Sequence, residues 1–565
     1  MTDPHLPPHA PPHAPPHAPP HAAVTTPVAP SENLTAFLDR LADRRLLRRV
    51  TAAVDPVLEI AAIADRVSKM PTPGGAPPGE VDKSPAAHLG GVALLFENVK
   101  GSAFPVAINL FGSYARVNLA LGTPSLAALA ERVQQLVKPE MPTTLLEKMK
   151  KLPDLLKLAS YPPKTVRSGP CQEVVLEGDR ADLTRLPILQ CWPLDGDVTS
   201  GEVEERHQAS VRDGTSGPRG TGRYITLGGI HTRHPETGAR NIGMYRVQVF
   251  GPRLAAMHWH LHHDGARHFR AYQRRGERMP VAIALGGGSV MPYAATAPLP
   301  PGIEEHLFAG FLNGRGIELV PCRTVPLEVP AESEIVIEGW VDPEQTLLEG
   351  PFGDHTGFYS LADRYPALHV SCITHRKNAM YPATVVGKPP MEDYYLGKAT
   401  ERIFLPLLRT IVPDIVDYCL PMAGVFHNAA YVKIRKEYAF QARRVMHAIW
   451  GAGQMAFTKF IIVVDEDVDV QDEQQVLFHL YAHCDPERDM EVVHGPVDIL
   501  DHAAPELGVG SKVGFDATRK WPAEGRGRGV RRYPTPLGYP PAVRGLLDRR
   551  WREYGLADDP PGRLA

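Results

Sequence analysis

At 565 residues the chain is too long for one hydrophobic core, so two or three domains are expected. Basic and acidic residues nearly cancel, for a formal net charge of −3, which removes any electrostatic reason to expect nucleic acid as a partner. Hydrophobic residues make up 43% of the chain, as in globular proteins, yet no apolar run approaches the ~18 residues of a membrane span, and the polar, proline-rich start is unlike a secretory signal. A cytoplasmic location is the resulting expectation. Six cysteines, at 171, 191, 322, 372, 419 and 484, show no CxxC spacing and are expected to be reduced and buried.

Residues 4–22 repeat Pro-Pro-His-Ala, placing His5, His9, His13, His17 and His21 four apart. Such proline density favours a polyproline helix of three residues per turn, so the histidines scatter around it and form no stripe. A disordered tail over 1–30 is expected, with weak adventitious nickel or zinc binding as the alternative. From Ser31 onward Leu34, Phe37, Leu38 and Leu41 share a helical face. Asp55-Pro56 reads as an N-cap with proline at the first helical position, opening a helix to about Val67. A Pro/Gly-rich loop at 71–90, strands at 92–96 and 105–110, and a helix at 125–137 complete a small α/β domain. With a connecting helical segment it is assigned to 31–165.

Between 166 and 385 strand signals dominate, at 224–228, 281–285, 334–341 and 367–374, and one helix, at 302–312, carries Glu304 and Glu305. So many short strands point to an antiparallel barrel. Gly286-Gly287-Gly288 lacks the Lys-Ser/Thr of a phosphate loop and reads as a turn. Over 386–556, strands at 429–434 and 459–464 alternate with helices at 436–450 and 471–483, predicting an α/β domain with parallel strands. Asp465, Glu466, Asp467 and Asp469 follow the second strand as a solvated strand end, with a cation site as the alternative. Val543, Leu547, Trp551 and Tyr554 share one face of an end helix suited to docking on another subunit. The fold class is thus a multidomain α+β and α/β protein.

Two windows carry the chemistry. From Gly243 to Phe250 the alternation puts Met244, Arg246 and Gln248 on one strand face and Tyr245, Val247 and Val249 on the other, so Arg246 is expected to project from a strand. His258, His260 and His262 recur at every second position, either as a metal or phosphate site on a second strand or as satisfied core histidines. In the second window Glu349 and Asp354 flank a Gly-Pro-Phe-Gly turn, and glycines at 350, 353 and 357 let both carboxylates face one cavity. Two carboxylates near one arginine make an acid/base set, since the arginine keeps one ionised while a drier setting raises the other. A structural Arg/Glu pair beside a tight turn is the alternative.

Asn-Ile-Gly-Met-Tyr-Arg at 241–246, Glu-Gly-Pro-Phe-Gly-Asp-His-Thr-Gly at 349–357 and Gly-Lys-Pro-Pro at 387–390 resemble the signatures of the UbiD family, the prenylated-flavin-dependent decarboxylases. The likeness runs from about Leu34 to about Trp551. It implies a split β-barrel that holds prenylated FMN, a flavin prenyltransferase that supplies it, and a homo-oligomer, dimer or hexamer. It implies that Asn241, His262 and Glu305 ligate a divalent cation, usually manganese, that bridges to the cofactor phosphate. Met244, Tyr245 and Arg246 match one cofactor-binding stretch, and His258, Trp259 and His260 a second. His263 and Asp264 stand where relatives often carry Arg-Gly, and Lys388 is assigned to the flavin phosphate or a monovalent ion such as potassium.

Arg246, Glu349 and Asp354 align with the family's catalytic network. Arg246 is expected to orient the substrate carboxylate, and Asp354 to give the proton after decarboxylation, a role Glu349 could share. Met391, Tyr394 and Tyr395 are candidates for the pocket wall. The implied substrate is an aromatic acid, a polyprenylated hydroxybenzoate or hydroxynaphthoate on the way to ubiquinone or menaquinone, with transient membrane contact if it is prenylated. Another aromatic or unsaturated acid, an FMN split-barrel reductase or oxidase, and an inactive paralogue are the competing readings.

Overall fold

The first helix, Leu34–Asp43, buries Leu34, Phe37, Leu38 and Leu41, and Asn33 caps it by accepting the Ala36 N–H at 3.0 Å. This computed structural model describes residues 29–137, 158–260, 263–300, 302–525, 527 and 529–555. The Pro-Pro-His-Ala tail, most of the connecting segment and His262 lie outside the described residues. Asp55-Pro56 does not open the second helix, which runs Glu59–Ser68 after Leu58. Asp55 instead accepts the Val57 N–H at 2.9 Å and Glu59 accepts the Asp55 N–H at 2.7 Å, so side-chain bonds close a turn before the helix begins. Strands Leu47–Val50, Ala93–Phe96 and Val106–Ile108 form the N-terminal sheet, to which Tyr381–Pro382 adds from the far end of the central segment.

The central sheet is built on two long antiparallel strands, Ser333–Glu349 and Asp363–His375, in register with Glu349 opposite Asp363. Its order is Tyr224–Ile225, Val247–Gly251, Leu254–Met257, Asp363–His375, Ser333–Glu349, Met279–Gly286, Gly228–Arg233, Arg240–Met244, with Val174–Glu177 also on Asp363–His375. Strands Arg240–Met244 and Val247–Gly251 stand near opposite ends of that order, yet only Tyr245 and Arg246 join them. Two residues reach only about 10 Å, so the sheet must curl until its edges nearly meet, which gives the expected split barrel. Arg246 therefore sits at the seam of the barrel and not on a continuous strand. The 224–228 run likewise divides into two strands, and the helix at 302–312 is not alone: Glu205–Arg212, Asp264–Arg275 and Met291–Ala294 also interrupt the strands.

The C-terminal sheet runs Ile415–Cys419, Ala429–Ile434, Phe460–Asp465, Val509–Asp516, Met490–Pro496, parallel at its centre and antiparallel at both edges. Helices Gln441–Trp450 and Glu473–His483 begin later than their sequence patterns suggest. The acidic strand end is spent on cations of the chain itself: Asp467 on Arg519, Glu466 on Arg435 and Asp469 on Lys83. The helix Glu392–Ile411 joins the domains, and its buried Glu392 accepts the N–H groups of Asn109 and Phe111 at 3.1 and 2.8 Å. Tyr394 and Tyr395 belong to this contact and not to a pocket wall, since their hydroxyls bond Asp82 and the Ala86 carbonyl. Met391, 2% exposed, lies in the main core. All six cysteines are free, four of them buried and Cys322 and Cys484 partly so. No helix among the described residues is long and apolar enough to cross a membrane.

Candidate active site

Glu349 ends the longest strand and is wholly buried, which would be costly for a carboxylate without partners. Arg246 supplies them in bidentate form, Nε to Oε1 and Nη2 to Oε2, both at 3.0 Å. Its Nη1 donates to Asp354 Oδ2 at 2.5 Å, Nη2 also donates to Ser360 Oγ at 2.8 Å, and the guanidinium lies 4.7 Å over the Phe352 ring. Burial alone would raise Glu349, but the Arg246 charge, with hydrogen bonds from His258 and Arg246, outweighs it and holds the carboxyl below its ordinary value. Asp354 is also held below its ordinary value: against burial act a hydrogen bond from His355 and the Arg246 charge. Both acids are therefore ionised around one guanidinium.

The Glu349-to-Asp354 turn is fixed from below. Asp195 accepts the Gly353 N–H at 2.8 Å while also accepting those of Cys191 and Trp192, and burial still lifts its carboxyl to about 6. Gln248 Oε1 accepts the Gly350 N–H at 2.9 Å, and the Tyr224 hydroxyl donates to the Gly350 and Pro351 carbonyls. A Cβ on Gly353 would lie 2.1 Å from Trp192 Cδ1, and Trp192 is itself tied to the Val386 carbonyl at 3.0 Å. Gly353→Ala is accordingly expected to cost about 1–3 kcal/mol in denaturant unfolding and to slow any reaction that uses Asp354. Unchanged stability would mean that Trp192 moves aside freely.

His258 and His260 do not form a strand face. The strand Leu254–Met257 ends before them, and His258 turns inward, its Nδ1 2.6 Å from Glu349 Oε2 and its Nε2 2.6 Å from His260 Nε2. Burial, with the Arg246 charge, lowers His258, so it serves Glu349 as a neutral donor. His263 stacks on His260 at 4.8 Å and lies 4.8 Å from the Tyr245 ring. Asp264 opens the next helix and pairs with Arg267 at 2.7 Å on an exposed face, so its carboxylate is engaged away from the Arg246 cluster. Trp259 packs on Phe269, with its indole N–H buried and unpartnered. Met244 is half-buried beside this stretch, and a Cβ on Gly243 would meet the Tyr245 ring at 2.2 Å, which is why glycine precedes Met244-Tyr245.

Asn241 and Glu305 do come together, since Glu305 Oε2 accepts the N–H of Ile242, the next residue, at 3.0 Å. Burial pushes Glu305 up to about 7, and Asn241 Nδ2 is buried without a partner. A carboxylate and an amide oxygen are donors that suit a hard divalent cation, with the Asn241 N–H groups left outside any coordination, although the described residues contain no cluster of three His, Cys, Asp or Glu ligands. Lys388 is exposed, its stem against Gly357 at the end of the acidic turn. Sequence reasoning assigned no role to Phe352, Ser360, Asp195, His355 or His427; the last lies 72 residues from its partner His355, and no spacing rule links them.

Three family matches cover most of the chain, described as the N-terminal, Rift-related and C-terminal domains of 3-octaprenyl-4-hydroxybenzoate carboxy-lyase, at residues 38–136, 164–389 and 394–517. An uncharacterized protein of Aquifex aeolicus is 44% identical over 525 residues, 93% of this chain and 99% of the relative. The structure of the UbiD-class enzyme HmfF from Pelotomaculum thermopropionicum in complex with FMN is similar at 26% identity and a TM-score of 0.67, over 89% of this chain and 97% of that one. Vanillic acid decarboxylase of Sedimentibacter hydroxybenzoicus in its closed form shares the fold, with a TM-score of 0.73 and 24% identity over 93% of this chain and 98% of that one. The seam arginine and its paired acids thus stand in a chain matched in all three of its domains, which belongs to the UbiD family of carboxy-lyases.

Proposed function

We propose that this chain decarboxylates an aromatic carboxylic acid without oxidation, using prenylated FMN. The observation that carries the reading is the buried guanidinium of Arg246 shared by Glu349 and Asp354. An FMN reductase has no need of such an arrangement. The HmfF likeness, which includes an evolved dimeric form in complex with prFMN, supports the cofactor. When bound, prenylated FMN supplies the electron sink that side chains lack for removing carbon dioxide from an aromatic carbon. Asn241 and Glu305, with His262, would hold a divalent cation, manganese, against its phosphate; Lys388 stands near enough to the acidic turn to serve the phosphate or a potassium ion.

Arg246 has five N–H bonds, and four are committed to Glu349, Asp354 and Ser360. The fifth, on Nη1 beside Asp354, is the one that can orient a substrate carboxylate. Glu349, ionised and wholly enclosed, keeps the guanidinium charged and aimed, and Asp354 faces the reacting carbon as the last holder of the proton. The substrate we favour is a polyprenylated hydroxybenzoate or hydroxynaphthoate of ubiquinone or menaquinone biosynthesis, in line with the carboxy-lyase that the family description names. A prenylated substrate would entail transient contact with a membrane surface. The end helix Pro541–Arg550 buries none of its residues and suits docking on a second copy, so a homo-oligomer is part of the proposal.

The test is to co-express the full chain with a flavin prenyltransferase, purify it anaerobically with manganese, and identify the released small molecule by mass spectrometry. Prenylated FMN, followed by carbon dioxide release from an aromatic acid, is the expected result. Plain FMN or nothing from folded protein would turn the reading towards a reductase or an inactive subunit. Chelation of the metal is expected to lower cofactor retention and not only rate.

A further inference from the structure

Asp354 is the inner end of a longer hydrogen-bonded chain. Its Oδ1 accepts from His355 Nδ1 at 2.9 Å and from the His355 backbone N–H at 2.8 Å. Across that ring His355 Nε2 meets His427 Nε2 at 2.8 Å. His427 comes from another domain, in the turn that precedes the C-terminal strand Ala429–Ile434. In that turn Val425 and Phe426 both hold left-handed backbone, at φ +44° and +53°, a conformation that non-glycine residues rarely adopt. The Phe426 ring stacks on His355 at 4.9 Å and 14°, and Gly397 gives it room, since a Cβ there would lie 3.1 Å from Phe426 Cδ1. The contacts of Glu305, with the Ile242 N–H, lie apart from this pair.

Resting on the decarboxylase reading, we infer that His427 and His355 are the route by which a solvent proton reaches Asp354. When the bond from ring carbon to carboxylate breaks, carbon dioxide departs and the bonding pair remains, to end in a C–H bond. One proton is consumed per turnover, and an ionised Asp354 does not hold it beforehand. His355 is the group placed to supply it, with Nδ1 on Asp354 Oδ1; burial works against its charge, but the hydrogen bond and charge of Asp354 prevail and raise it above an ordinary histidine. His427 is lowered to about 4, by burial first and also by His355, against the pull of Asp498 and Asp354. The charged groups facing the pair are Asp354, Asp393 and Asp498, with Arg246 behind Asp354, and the Asn428 side chain lies beside His427.

Once protonated, His355 stands between an acid that needs its proton and a second imidazole that can replace it. His355 Nδ1–H moves to Asp354 Oδ1 and on to the product carbon, which leaves the ring neutral with its proton on Nε2; that proton shifts to Nδ1, and a proton from water, passed through His427, then fills Nε2 and restores the charge of His355. His427 acts through His355 and touches no reacting atom, so it is a positioning and relay residue. Because it belongs to the C-terminal domain, the route is complete only when that domain is seated on the barrel.

Glutamine at 427 keeps a polar end for His355 but passes no proton. With wild-type and H427Q protein loaded with prenylated FMN, the relay predicts that kcat falls about tenfold or more while KM and cofactor content hold, that the pH profile moves, and that imidazole restores part of the rate to H427A. In the full chain without cofactor, histidine 15N NMR should show His355 protonated on both nitrogens at neutral pH, with a titration displaced by H427Q. A wild-type kcat and pH profile in H427Q, or a neutral His355, would overturn the relay. Loaded wild type that releases no carbon dioxide from any acid would count against the decarboxylase reading instead, and the NMR arm would still decide the pair.

Discussion

Arg246→Met is expected to destabilise the fold by about 3–5 kcal/mol at neutral pH and to abolish carbon dioxide release. The substitution keeps roughly the length of the stem and removes the guanidinium that Glu349 and Asp354 share, the two acids being 0% and 7% exposed. Two buried like charges then face each other, and burial, unopposed by a guanidinium, raises both carboxyls. The pH dependence follows from the signs. In the native protein both acids are held below their ordinary values, so they contribute stability above the unfolded carboxylate range, and that contribution is lost as pH falls through their folded values. In the variant the raised acids destabilise at neutral pH and cease to do so once pH falls below the unfolded range. The gap between the two proteins is therefore widest near pH 7.5, narrows towards pH 5 as the variant's raised acids take up protons, and closes only at lower pH, as the native acids titrate through their depressed folded values. Urea unfolding of both at pH 7.5 and pH 5 measures it; a small gap that is the same at both values would show that the triad carries little electrostatic weight.

The barrel strands were legible because burial on alternate residues leaves a period of two, and the runs at 334–341 and 367–374 fall inside the two longest strands. What the sequence could not convey is closure. The alternation continues unbroken through Tyr245 and Arg246 because both flanking pieces are strands, and nothing local states that they belong near opposite edges of one sheet. His258 misled for a related reason: its spacing to His260 is that of a strand, but the strand ends at Met257 because Glu349 draws the imidazole inward. Tyr394 and Tyr395 were misjudged by proximity to Gly-Lys-Pro-Pro. They start a helix whose buried side meets Asp82 and Ala86, contacts more than 300 residues away in sequence. Arg246, Glu349 and Asp354 could be named as a set because motif and charge logic agree. The His355–His427 contact carries no such local mark.

Asp354→Asn should retain cofactor and substrate yet turn over about 10²–10⁴-fold more slowly. Asparagine can still accept from Arg246 Nη1 through its amide oxygen, and Glu349 keeps the guanidinium neutralised in bidentate form, so the fold loses far less here than in Arg246→Met. What disappears is the only group in the triad that touches a proton carrier, for Asp354 bonds His355 while Glu349 bonds Arg246 and a neutral His258. Without an anion at Oδ1, His355 also loses the partner that raises it and should be neutral at pH 7. The comparison with Glu349→Gln separates two roles: the glutamine variant should lose both substrate orientation and rate, raising KM as well as lowering kcat, whereas Asp354→Asn should lower kcat alone. Steady-state carbon dioxide release with bound cofactor quantified in each variant decides the matter. Wild-type turnover in Asp354→Asn would remove that residue from the proton path and transfer the final step to Glu349, and the histidine chain would then lead to the wrong acid.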